Sequence, residues 1–381
     1  MSSSMTVEIS NLAKKLKSQG RDILSFSVGE PDFDTPQIVK DEAKKAIDEG
    51  FTKYTAVDGI APLKDAIAGY MQRSFGVDYD NDELSVAVGA KHSLFNVFAA
   101  LLNDGDEVII PTPYWVSYPE HVKYFGGVPV FCKTSYENNF KITPELLSKH
   151  ITPKTRILVM CSPSNPTGMA YTKKELEDIA DVLKSTKIIV ISDEIYERLI
   201  FDNIKFTSMA SVSEDMLNRS IIINGVSKSS AMTGWRLGFL ACKNKALVKS
   251  ILRLQSQSTT NINSITQKAA IKVFDGSVDE DIEKMRKVFQ TRRDFSFDLF
   301  SKIDNIKLIK PNGAFYLFID ISKIENDSIL FCKKLLQDEN VAVVPGIAFG
   351  QEGFFRFSFA TDEKTIEKGI LRIANFISNY K

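Results

Sequence analysis

The chain has 381 residues, 44% of them hydrophobic and 25% charged, which is the balance of a globular protein with a sizeable core. At about 150 residues per domain, the length predicts two domains. Basic and acidic residues balance at 48 each. No global field therefore holds the chain on nucleic acid or an anionic membrane, and any anion binding must come from a few positive groups placed locally.

Four cysteines (Cys132, Cys161, Cys242, Cys332) lie far apart with no C-x-x-C. This disfavours a zinc ribbon or a disulfide scaffold and fits a reducing compartment. The three histidines, His92, His121 and His150, show no metal-ligand spacing, so no metal site is expected. No apolar run approaches the roughly 18 residues that span a bilayer. The opening MSSSMTVEIS has no basic stretch followed by an apolar one, so the cytoplasm is the expected location.

In chain order, short apolar runs stop abruptly at small or polar residues. Residues 84–88 stop at Gly89, and a helical pattern follows over 91–102. Residues 107–110 stop at Pro111, and 128–131 form a shorter run. Residues 156–160 stop at Ser162-Pro163, before a helical pattern over 173–183. Residues 187–191 stop at Ser192-Asp193-Glu194, and 221–223 stop at Asn224-Gly225. Residues 237–241 are a further candidate, and a long helical stretch covers 280–300. Such runs read as fully buried strands, and their alternation with helices predicts a mainly parallel sheet covered on both faces. Ligands bind beyond the carboxyl ends of strands in such sheets. The C-terminal third, with strand-like runs at 313–319, 341–344 and 354–358, reads as a smaller α+β domain joined by the N-terminal segment. The expected division is 36–285 for the large domain, with 1–35 and 286–381 forming the small one.

Lys228 follows a buried run and sits among small residues, from Asn224 to Gly238. A lysine is ordinarily a solvated surface group. Desolvation at such a site would lower its pKa, and a neutral amine can form a Schiff base. Arg236 lies near small residues that allow close approach, and suits a bidentate phosphate clamp. Together Gly225, Ser227, Lys228, Ala231, Arg236 and Gly238 resemble the lysine attachment site of class I pyridoxal-phosphate aminotransferases. The likeness continues through Gly29-Glu30-Pro31-Asp32-Phe33, Asn165-Pro166-Thr167-Gly168, Ser192 to Tyr196, Gly313-Ala314-Phe315-Tyr316 and Arg356-Phe357-Ser358. It is strongest toward the bacterial aspartate aminotransferase branch, which includes prephenate aminotransferases.

The resemblance implies the pyridoxal-phosphate transferase fold type I: an α/β large domain with a mostly parallel seven-stranded sheet between helices, plus a smaller α+β domain. It implies pyridoxal 5'-phosphate as cofactor and Lys228 as its attachment point and catalytic base. By the same likeness Asp193 faces the pyridine nitrogen, while Asn165 and Tyr196 face the phenolic oxygen. Trp115 stacks on the ring. Gly89, Ala90, Lys91, Ser227 and Arg236 surround the phosphate, as free N–H groups at a strand–helix turn allow. Tyr54 reaches the phosphate of a neighbouring subunit, so a homodimer with shared active sites is expected. Gly29, Trp115, Asn165, Lys91 and Arg356 receive the substrate, with Arg356 on the α-carboxylate and Lys91 on a distal one. Outside the family likeness each has a plain reading: a helix cap for Asp193, turns at Gly29 and Asn165, a core tryptophan, a surface tyrosine, solvated charges at Lys91 and Arg356.

The expected reaction is transfer of the amino group of L-aspartate to 2-oxoglutarate. Prephenate or aromatic transamination and C–S lysis are the alternatives on the same fold. Members of this branch usually carry further residues, some basic, ahead of the start seen here (Met1-Ser2-Ser3-Ser4-Met5), and prephenate use relies partly on them. A ligand-sensing regulator would carry an added DNA-binding segment, and a nicotinamide enzyme a G-x-G-x-x-G after an early strand; neither pattern is found.

Overall fold

The computed structural model describes residues 5–380. The expectation about residues ahead of the chain's start lies outside them. After a two-residue strand β1 (Leu24–Ser25) come β2 (Leu84–Ala87), β3 (Glu107–Thr112), β4 (Val128–Lys133), β5 (Thr155–Cys161), β6 (Ile189–Asp193), β7 (Ser220–Gly225) and β8 (Gly238–Ala241). These last seven form one sheet in the order β2-β8-β7-β6-β5-β3-β4. Only β8 runs against its neighbours.

Both faces of the sheet are covered, and the alternation of side chains shows it. Leu158 and Met160 of β5 enter one core, and Ile157 and Val159 enter another on the opposite face. Val190 and Ile191 of β6 divide the same way. The helix Lys173–Leu183 has the bounds its sequence predicts. Thr172 and Glu175 close a capping box at its start, and Leu176, Ile179, Ala180 and Leu183 form one buried stripe. The helix expected over 91–102 begins slightly earlier than its pattern, at Ala90, because Gly89 turns the chain with φ +81° directly after the strand.

A second sheet comes from the C-terminal third. It joins β9 (Lys307–Leu308), β10 (Tyr316–Asp320), β12 (Val344–Pro345) and β13 (Phe354–Ser358) in the antiparallel order β12-β13-β10-β9, while β11 (Val341–Ala342) pairs with β1 instead. The run 341–344, expected as one strand, is thus two. It changes partner midway, serving the N-terminal segment first and β13 next. The helix Asp279–Phe300 links the two parts: Ile282 packs in the core of the large sheet, and Met285 and Phe289 pack in a phenylalanine-rich core below the small one.

That second core seats the N-terminal segment. Phe26 stacks on Phe357 at 4.2 Å between ring centroids, and Gly369 of the helix Glu363–Ser378 lies close against the Phe26 ring. A Cβ at Gly369 would stand 2.2 Å from the Phe26 ring. Gly369→Ala is therefore expected to cost about 1–3 kcal/mol by overpacking, measured by urea unfolding. Wild-type stability in that variant would show that the segment is not wedged.

Candidate active site

The large sheet delivers its chain ends to one cavity of about 320 Å³, a size suited to a small cofactor and substrate. Beyond β2, Gly89 opens the helix Ala90–Leu101 without a side-chain cap, leaving N–H groups at its first turn. Arg236 lies against that turn. Its guanidinium donates to the carbonyls of Thr233 (2.9 Å) and Val88 (3.3 Å). A Cβ at Gly89 would stand 2.5 Å from its Nη2, and one at Gly238 would stand 2.2 Å from the Ala90 nitrogen. Gly225 pairs with Gly238 across β7 and β8, where a Cβ would stand 2.7 Å from the Gly238 Cα. Glycines thus let three backbone segments and one guanidinium converge where an anion is held by N–H donors and positive charge together.

Lys228 follows β7. Its Nζ donates to the Gly29 carbonyl at 2.6 Å. Burial, with Arg356 and Arg236 adding repulsion, brings its pKa down to about 8, against the opposing pull of Glu30 and Asp193. Ser227 beside it also faces the cavity.

Asp193 ends β6 and is buried. Tyr118 donates to its Oδ2 at 2.6 Å, and the Ile195 N–H donates to its Oδ1 at 3.3 Å. Burial raises the carboxyl's pKa, while Tyr118, the Ile195 N–H and Lys228 favour the anion. Burial and Asp193 push Tyr118 far above an ordinary phenol, so it remains the proton donor of the pair.

Arg356, in β13, is buried, and every partner it has among the described residues is neutral. Nη1 donates to Asn165 Oδ1 (2.9 Å) and Nη2 to the Ser27 carbonyl (2.7 Å). The guanidinium lies 4.3 Å from the Tyr316 ring centroid and 5.1 Å from that of Phe349. Its buried Nε has no partner among the described residues. A desolvated cation with donor capacity to spare suits a carboxylate. Tyr196 meets the Tyr316 hydroxyl at 2.8 Å. Lys91 holds its ammonium 4.8 Å over the Trp115 ring, and burial and Arg236 lower its pKa.

Of the residues singled out in the sequence, Gly29, Ala90, Lys91, Trp115, Asn165, Asp193, Tyr196, Ser227, Lys228, Arg236 and Arg356 all line this cavity. Gly89 stands just behind Arg236. Tyr54 does not line it; its side chain is 89% exposed on an outer loop. Tyr118, Cys161, Ile195, Thr233 and Tyr316 line it without having been assigned a role from sequence. The only local signal for Tyr118 was its place one helical turn after Trp115.

Comparison with known proteins agrees with this arrangement. The model for aminotransferase class I and II matches residues 21–373. The chain belongs to this family. Its relatives include an aspartate aminotransferase of Bacillus sp. (strain YM-2), 45% identical over 98% of this chain and 96% of that protein. A probable aspartate/prephenate aminotransferase of Rickettsia bellii (strain RML369-C) is also 45% identical, over 97% of this chain and 95% of that protein. Among solved structures, the aspartate aminotransferase of Rhizobium meliloti superposes with a TM-score of 0.96 at 38% identity, covering 100% of this chain and 98% of that one. That of Thermus thermophilus with maleate gives 0.94 at 38% identity, covering 98% and 97%. The chain therefore has the fold of the aspartate aminotransferases and is a transaminase by family.

An amine-reactive reagent should label Lys228 with a pH midpoint near 8, well below the roughly 10.4 of an ordinary lysine. Peptide mapping across pH checks this. A midpoint above 10 would show that the amine is solvated.

Proposed function

We propose that the protein is a pyridoxal-phosphate-dependent aspartate aminotransferase. It moves the amino group of L-aspartate to 2-oxoglutarate, giving oxaloacetate and L-glutamate in two alternating half-reactions. The observation that carries this reading is the convergence of Lys228, Asp193, Arg236 and Arg356 on one cavity. The relatives named above support it, and so does the dicarboxylate maleate in the Thermus structure.

The donor set fits the cofactor. The N–H groups after Gly89, with Ser227 and Arg236, would hold its phosphate, and Lys91 flanks the same turn. Asp193, oriented by the hydrogen bond from Tyr118, would face the pyridine nitrogen. Trp115 would cover the ring, and Asn165 and Tyr196 would donate to the phenolic oxygen. When bound, pyridoxal phosphate supplies the electron sink that makes the substrate's Cα–H acidic. The protein does the rest. Arg356 and Gly29 bind the α-carboxylate, and Lys91 the distal one. Lys228, largely neutral above pH 8, would act as the base that takes the proton from the substrate's Cα and holds it for return.

The same reading includes a homodimer in which Tyr54, projecting from the surface, completes the partner's phosphate site. It includes a large domain of residues 36–285 and a small one of 1–35 and 286–381, supported by the passage of the linking helix from one core to the other between Ile282 and Met285. It also includes a cytoplasmic location, supported by the four unpaired cysteines. Among the described residues no helix is long and apolar enough to cross a membrane.

Adding L-aspartate to the loaded protein should shift its visible absorbance, and adding 2-oxoglutarate should restore it. Lys228→Ala should abolish turnover; normal steady-state rates in that variant would end the reading. Lys91→Ala should lower kcat/KM for aspartate relative to alanine by about 10- to 100-fold, the worth of one charged hydrogen bond. An unchanged ratio would remove Lys91 from substrate selection.

A further inference from the structure

Tyr316 is fully buried at the start of β10, where the Gly-Ala-Phe-Tyr motif enters the small sheet. It touches three groups of the site at once. Its hydroxyl is 2.8 Å from that of Tyr196. Its ring lies under the Arg356 guanidinium at 4.3 Å. A Cβ at Gly29 would stand 2.7 Å from its Oη, so the Gly29 backbone rests on that oxygen.

Each of the two phenols has one proton, so within the pair one donates and the other accepts. Tyr196 can give its proton to a ligand oxygen only when Tyr316 is the donor between them. Tyr196 is the only hydrogen-bond partner of the Tyr316 hydroxyl among the described residues. That leaves Tyr316 free to donate to it. A hydroxyl that accepts a hydrogen bond also becomes a stronger donor.

We propose that Tyr316 is a positioning residue: its hydroxyl donates to Tyr196 and turns the Tyr196 proton toward the cofactor's phenolic oxygen, while its ring seats Arg356. One side chain thereby links the grip on the substrate carboxylate to the charge on the cofactor's oxygen. This rests on the proposed role of Tyr196 in the aminotransferase reading. The two functions sit on different atoms of Tyr316 and can be separated.

The test compares wild type, Tyr316→Phe and Tyr316→Leu, each loaded with pyridoxal phosphate. The first readout is the pH midpoint of the visible absorbance, and the second is aspartate kinetics. Tyr316→Phe keeps the ring and loses the hydroxyl. A weaker Tyr196 donor leaves more negative charge on the cofactor's oxygen, which holds the neighbouring proton to higher pH. The midpoint should rise by about half a pH unit, with kcat falling roughly threefold or more and KM for aspartate changing less than about twofold. Tyr316→Leu should shift the midpoint equally and raise KM as well. An unshifted midpoint in Tyr316→Phe overturns the hydroxyl's role, and equal KM values in Phe and Leu variants overturn the ring's. If wild type loads but does not respond to aspartate, the substrate assignment fails while the midpoint comparison still decides on Tyr316. A wild type that takes up no pyridoxal phosphate overturns both.

Discussion

The site depends on one buried cation held without a counter-charge. Removing a guanidinium from water costs several kcal/mol when no anion accompanies it. The fold meets that cost at Arg356 with the Ser27 carbonyl, the Asn165 amide oxygen and the faces of Tyr316 and Phe349. Each group comes from a different part of the chain. The N-terminal segment must therefore sit in its groove, the loop after β5 must reach the small sheet, and β10 and β13 must pair in register. A protein carboxylate in that position would stabilise the arginine more cheaply, and would leave nothing for a substrate to bind.

The same logic governs Lys228. Burial, Arg356 and Arg236 favour its neutral form, while Glu30 and Asp193 temper the effect. The cavity gathers Lys91, Lys228, Arg236 and Arg356 in a chain whose total charge is zero. Asp193 is the buried carboxylate set among them, and Tyr118 and the Ile195 N–H hold it in place. A neutral total thus conceals a basic pocket built for anions.

Much of this was legible in the sequence because short buried strands have few other readings. The apolar runs ending at Gly89, Asp193 and Gly225 each ended at the cavity, since a parallel sheet brings strand ends to one edge. The motif spacing around Lys228 reflects local backbone contacts, such as Gly225 against Gly238, and local contacts leave local signals. Tyr118 and Tyr316 were not legible as site residues. Their partners, Asp193 and Tyr196, lie 75 and 120 residues away in the chain. The run 341–344 misled as a single strand because periodicity carries no information about a change of partner.

By itself, then, the sequence determined the strand and helix order, the small residues that let backbones close around Arg236, and the chemical types available for the reaction. These follow from side-chain period, φ preference and functional group, all properties of single residues or near neighbours. Only the tertiary structure decided which phenol supports Asp193, which one meets Tyr196, and that Arg356 is buried among neutral partners. Those outcomes depend on distances between segments far apart in the chain, which packing alone sets.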